Sequence, residues 1–196
     1  MAWDVEGTKR KLREAAVTQF AETGLAGTRV EKIAARAGLN KALIYKYFGS
    51  KEELFATVLS DELGRIASAV PLLGRDADDI GAYAGACFDY HCEHPELLRL
   101  LHWEALELPG TPAPHELERT EDYRAKVAAF ATAQRAGSVV DDVPPGDLLF
   151  SVMALAAWWA AVPQVARMIT GTADSPDERA RRRASVVALA EHLAKG

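Results

Sequence analysis

The sequence predicts an all-α protein, and three observations carry that expectation. Alanine, the strongest helix former, occurs 36 times in 196 residues. Alternating β-branched runs are nearly absent, whereas apolar residues recur at steps of three and four. Clusters of Gly and Pro cut the chain into helix-sized pieces, at 24–27, 38–40, 48–50, 71–79, 108–115, 141–147 and 170–177. With 49% hydrophobic and 26% charged residues, the composition is that of a globular chain. This excludes disorder, a collagen-like repeat and a disulfide-dense scaffold.

The first helix is expected over about residues 8–23. Leu12, Ala15, Ala16 and Phe20 share one face, and Gly24 supplies a stop. Thr28 then reads as the cap of a second helix, with Glu31 three residues on completing a capping box. Val30, Ile33, Ala34 and Ala37 form its inner stripe, and Gly38 ends it. After a three-residue turn, Asn40 is placed to cap a third helix over 41–48. Leu43, Ile44 and Phe48 face inward there; Lys41, Ala42, Tyr45 and Lys46 face out. Ser50 and Glu53 make a second capping box, followed by the apolar positions Leu54, Phe55, Val58 and Leu59.

Charge divides the chain in the same place. Residues 1–60 carry a net charge of +3 and residues 61–196 a net charge of −8, which together give the formal −5. A basic N-terminal module on an acidic body points to a polyanion partner for the small part alone. Two short helices around a tight glycine turn, the second with a basic and aromatic outer face, describe a helix-turn-helix. A helix of this kind enters the major groove with its first residues against base edges, while helix starts and cations meet phosphates.

The segments Gly27-Thr28-Arg29-Val30-Glu31-Lys32-Ile33-Ala34, Ala37-Gly38-Leu39-Asn40-Lys41, Tyr45-Lys46-Tyr47-Phe48 and Ser50-Lys51-Glu52-Glu53-Leu54-Phe55 resemble the tetracycline-repressor (TetR) family of bacterial regulators. The match runs in unbroken register over roughly residues 8–60. The resemblance implies an N-terminal three-helix helix-turn-helix DNA-binding domain (1–60) and a C-terminal helical ligand-binding and dimerisation domain (61–196). It implies phosphate contacts from Thr28, Arg29 and Lys51, base contacts from Asn40, Lys41 and Ala42, and phosphate or sugar contacts from Tyr45 and Tyr47. Lys46 reaches a base or a phosphate. Ala42 stands where the family often has Gly, and Leu43 where it often has Thr, a change toward methyl contact. Lys9, Arg10, Lys11 and Arg13 either form an arm across the DNA backbone or the minor groove, or solvate the first helix.

In the body, helices are marked by Ile80, Tyr83, Cys87 and Phe88, by Leu97, Leu98, Leu100, Leu101 and Trp103, and by Tyr123, Val127 and Phe130. Helices packed at an angle leave room for a small ligand, with Cys87, Phe88, Trp103, Phe130, Trp158 and Trp159 as candidate lining. Glu104 and Glu107 interrupt an apolar helix and read as internal ion pairs, with Arg99 or Arg135 as partner, in preference to a pocket carboxylate. His91 and His94 lie at metal-compatible spacing but lack an identifiable third ligand, so no metal or cofactor is expected.

The stretch 148–162 is apolar all round apart from Ser151, so it must be covered on every side. Pro163 should interrupt it. The expected cover is a second copy, through Ala154, Ala157 and Ala161 with Val186, Leu189 and Leu193 of the last helix, as an isologous four-helix contact. Arg179, Arg181, Arg182 and Arg183 read as a solvated flank. The expectation is thus a cytoplasmic homodimeric regulator, a repressor, of a near-palindromic double-stranded operator, released by a small, largely apolar effector. Two cysteines five apart and the lack of a ~20-residue apolar run fit that compartment and exclude a membrane role. A helical enzyme or carrier is the rival class. It lacks a nucleophile–base pair, a phosphate loop and a complete metal set.

Overall fold

Asp4 opens the first helix: its Oδ1 accepts the Gly7 N–H at 2.8 Å, three residues earlier than the sequence suggested. The computed structural model describes residues 4–72, 79–110, 112–113 and 115–195. The helices are α1 (Val5–Gly27), α2 (Val30–Ala37), α3 (Ala42–Phe48), α4 (Lys51–Ala69), α5 (Ile80–Glu93), α6 (Pro95–Glu107), α7 (Glu116–Arg135), α8 (Pro145–Ala161), α9 (Pro163–Thr170) and α10 (Pro176–Lys195). No strand occurs among the described residues. The breaks expected at 71–79 and 108–115 fall partly outside them.

The chain forms two compact units, one of residues 1–65 and 96–116, the other of 66–95 and 117–196. This differs from a single cut after residue 60, because α6 groups with the N-terminal helices. In the first unit, Leu12, Phe20, Ile33, Ile44, Leu54, Phe55 and Val58 are fully buried. Phe20 meets Phe55 edge to face at 5.2 Å, a favourable geometry for two rings. The α2–α3 turn is made as its residues dictate. Gly38 is left-handed and its N–H returns to the end of α2, and Asn40 Oδ1 accepts the Ala42 N–H at 2.9 Å. Ser50 Oγ accepts the Glu53 N–H at 3.0 Å at the head of α4.

Two local expectations need correction. Thr28 does not cap α2, whose first flanking residue is Arg29 without a side-chain cap. The Thr28 hydroxyl points back into α1, donating to Gly24 O at 2.6 Å, and the residue is 3% exposed. Gly24 does not end α1 outright. It is a kink at φ 71°, ψ −177°, after which the helix resumes for one turn.

In the second unit α5 packs against both α8 and α10. Its small residues allow close approach: a Cβ at Gly85 would stand 2.9 Å from Val187 Cγ2. The core here holds Ile80, Tyr83, Phe88, Phe130, Leu148, Val152 and Val186. Pro163 interrupts the apolar run as expected, and α9 leaves α8 at 86°. No single helix among the described residues is long and apolar enough to cross a membrane.

Candidate DNA-reading face and effector cavity

On α3, Ile44 is fully buried, and this anchors the helix by one side. Lys41, Ala42, Tyr45 and Lys46 are exposed on the other, with Asn40 exposed just before them. Tyr45 is 51% exposed, too much for a core tyrosine. Tyr47 is half-buried, with Lys46 Nζ 5.4 Å and Lys9 Nζ 6.0 Å from its ring centroid. The start of α1 therefore adds its charge to that of α3. Lys41 Nζ lies 2.7 Å from Glu31 Oε1. That pair holds the Glu31 carboxyl below its usual range and the Lys41 ammonium above its own, chiefly through the hydrogen bond between them. Both partners are exposed, so the pair exchanges readily for another anion.

Arg29 is exposed at the start of α2. Lys51 is half-buried and donates to Leu25 O at 2.6 Å and Thr28 O at 3.1 Å, fastening the α1–α2 connection. An ammonium has three donors, so one remains. The Thr28 hydroxyl is already spent inside the unit, which leaves its main-chain N–H as the group at the helix start.

Sequence reasoning missed the support beneath this face. From α6, Arg99 Nε donates to Ala21 O at 2.9 Å, and Trp103 Nε1 to the same carbonyl at 3.3 Å. Glu107 Oε2 accepts the N–H groups of Leu25 at 2.8 Å and Ala26 at 3.0 Å. Glu107 is thus bound to main-chain donors and makes no ion pair with Arg99 or Arg135. Trp103, a candidate pocket residue, is committed to this contact instead.

The second unit contains a cavity of about 290 Å³ between α5, α8, α9 and α10. Of the expected lining, Phe88 and Trp159 belong to it. Cys87 and Phe130 are buried in the core, and burial pushes the Cys87 thiol up to about 11. Trp158 is 61% exposed. The cavity also takes His91, Arg167, Asp174, Arg179 and Arg182. Arg182 is no solvated flank: it is buried, bonds Glu178 Oε1 at 2.9 Å, and lies 5.3 Å over the Trp159 ring. Glu178 is held down near 2 by Arg181, Thr172 and Arg182. The signal in the sequence was the i, i+4 pair Glu178–Arg182, overlooked in a run of arginines.

His91 is buried, and its Nδ1 has no hydrogen-bond partner. Burial pulls its pKa down from 6.5 to about 4. Its unfolded form binds a proton first, so the stability present above pH 6.5 is lost as pH falls toward 4. Between pH 7 and pH 5 this costs about 2 kcal/mol. His91→Phe should remove that much of the pH dependence in urea unfolding; an unchanged dependence would show that His91 is not the group responsible. Among the described residues no cluster of three metal-ligating side chains occurs.

Of the expected dimer residues, Val186 is fully buried within its own unit and offers no surface. Ala154 is exposed, Ala157 and Ala161 half-exposed, and Leu189 and Leu193 are 50% and 46% exposed. Phe150 at 75% and Trp158 extend the same helix row at steps of four.

A short helix with a buried anchor and an exposed basic–aromatic face, set after a glycine turn, defines a helix-turn-helix DNA-binding regulator. Residues 12–58 match the model of bacterial regulatory proteins of the tetR family, and residues 79–192 match that of the tetracyclin repressor-like C-terminal domain. The chain is 47% identical to the HTH-type transcriptional repressor SCO4008 of Streptomyces coelicolor over 174 residues, 89% of each chain. It is 28% identical to the HTH-type transcriptional regulator RutR of Escherichia coli K12, over 85% of this chain and 80% of that one. The crystal structure of the transcriptional regulator SCO4942 from Streptomyces coelicolor superposes with a TM-score of 0.81 at 33% identity, covering 95% of this chain and 98% of the other. The protein belongs to the TetR family of transcriptional regulators, DNA-binding proteins and not enzymes.

Proposed function

We propose that the chain acts in the cytoplasm as a homodimeric repressor that binds a near-palindromic operator and releases it on binding a small effector. The observation that carries this is the exposed face of α3, where Asn40, Lys41, Ala42, Tyr45 and Lys46 surround a helix held only from behind. Asn40, Lys41 and Ala42 meet base edges, and Lys46 reaches a base or a phosphate. Arg29, the Thr28 main-chain N–H, Tyr45, Tyr47 and the remaining Lys51 donor meet phosphates. The relatives named as repressors support the direction of control.

The row Phe150, Ala154 and Trp158, with Ala157, Ala161, Leu189 and Leu193 near it in character, supports pairing with a second copy. Exposed aromatics of this size are costly to leave in water. Two recognition helices about 34 Å apart then enter successive major grooves. An effector shifts that spacing only by as much as it prefers one state of the dimer.

Removing the competing carboxylate at Glu31 frees Lys41 for DNA. Glu31→Gln should tighten binding to the operator several-fold at low salt, and by more than it tightens binding to unrelated DNA, read by fluorescence anisotropy. An operator affinity that does not rise relative to unrelated DNA would show that Lys41 faces away from the bases. The reading as a whole is tested by a mobility shift on DNA upstream of the protein's own gene, with the complex sized by sedimentation. Two chains per duplex and resistance to competitor DNA are expected; equal binding to competitor and target would overturn it.

A further inference from the structure

The cavity of the second unit has a charge balance and a wall that narrow its ligand. Its guanidiniums are Arg167, Arg179 and Arg182. Against them stand two carboxylates. Asp174 binds Arg179 through Nε at 2.9 Å and lies 3.5 Å from Arg182, and Glu178 binds Arg182 at 2.9 Å and Arg181 outside the cavity. Arg167 makes no ion pair among the described residues. One positive charge of the lining is therefore left without a partner. It sits on α9, beyond the 86° bend that Pro163 puts in the chain.

The apolar part of the wall is aromatic. Phe88 is 2% exposed, and Trp159 carries the Arg182 guanidinium over its ring at 5.3 Å. His91, 7% exposed, adds an imidazole whose Nδ1 has no partner. Burial keeps that ring neutral, so it donates from one nitrogen and accepts at the other. A buried polar atom left unpaired costs free energy that a ligand can recover. At about 290 Å³ the space is at the low end for ligand pockets and suits a molecule of one or two rings.

We propose that this cavity is the effector site and that it takes a small aromatic carboxylate, whose anion pairs with Arg167 while its ring lies against Trp159 and Phe88. A guanidinium is suited to this task because its planar fork binds a carboxylate through two parallel bonds. An ammonium ligand is disfavoured, because it would face three guanidiniums with both nearby carboxylates already taken. The inference rests on the reading of the chain as an effector-responsive regulator.

Three probes share one ring system and differ in charge: indole-3-acetate, indole-3-acetamide and tryptamine. Calorimetric titration of the full-length protein should show the carboxylate binding at least ten-fold tighter than the amide, and tryptamine weakest. Arg167→Gln should weaken indole-3-acetate at least ten-fold and leave the amide unchanged. Arg167 is exposed, so the variant keeps its fold, which its melting temperature verifies. Equal binding of all three probes, binding of none, or an Arg167→Gln variant with unchanged affinity would overturn the assignment. A mobility shift on ligand-free protein is run separately. Its failure would overturn the regulator reading, while the calorimetry alone decides the chemistry of the cavity.

Discussion

Replacing Gly24 with alanine is expected to lower the melting temperature by roughly 4–24 °C. Two independent costs combine. At φ 71° and ψ −177° the backbone occupies a region essentially reserved for glycine, worth ~1–3 kcal/mol to any other residue. The added Cβ would also stand 2.5 Å from Glu107 Oε1 and 2.7 Å from Trp103 Cε3. Neither atom is free to swing aside. Glu107 is tied to the Leu25 and Ala26 N–H groups, and the Trp103 indole to the Ala21 carbonyl. Crowding of that kind adds ~1–3 kcal/mol. Asparagine, which tolerates the ordinary left-handed region, should fare no better here. A thermal melt of Gly24→Ala within 1 °C of the parent would show that the kink is incidental.

Ala42→Glu is expected to leave the fold intact and cut DNA affinity more than about 100-fold, since like-charge contact costs several kcal/mol. Ala42 is exposed in the first turn of α3, where a carboxylate suits the helix end and touches no core residue. Stability should therefore stay within ~0.5 kcal/mol of the parent. On DNA the same carboxylate would stand against base edges and phosphates, once in each protomer. Anisotropy titrations beside a melting curve separate the two readouts. Retained affinity would mean that α3 is not the reading helix. Loss of affinity with loss of fold would point instead to a structural role for Ala42.

Local chemistry was what the sequence exposed well. Gly38, Asn40 and Ser50 act through bonds to residues within a few positions, so their roles follow from spacing alone. The same holds for Pro163, whose ring interrupts any helix that reaches it. What was hidden depends on which face of a helix meets which other helix. Val186 and Leu189 are three apart on α10, yet the first is fully buried and the second half in solvent. Trp158 and Trp159 are adjacent, and only the second lines the cavity. Glu107 and Leu25 are 82 positions apart, and nothing near either one in sequence signals their contact. Thr28 misled for a different reason: its spacing to Glu31 matched a capping box, but carbonyls of the kinked α1 offered its hydroxyl a buried partner.

The basic face of α3, the support that α6 gives to α1, and the apolar row along α8 support the proposal of a DNA-reading unit and a unit that pairs with a second copy. Selection of bound duplexes from a random pool tests it most directly. The account predicts enrichment of a near-palindrome with half-site centres spaced by whole helical turns, bound at least about 10³-fold tighter than bulk DNA. Recovery of unrelated sequences, with the affinity of bulk DNA, would contradict it.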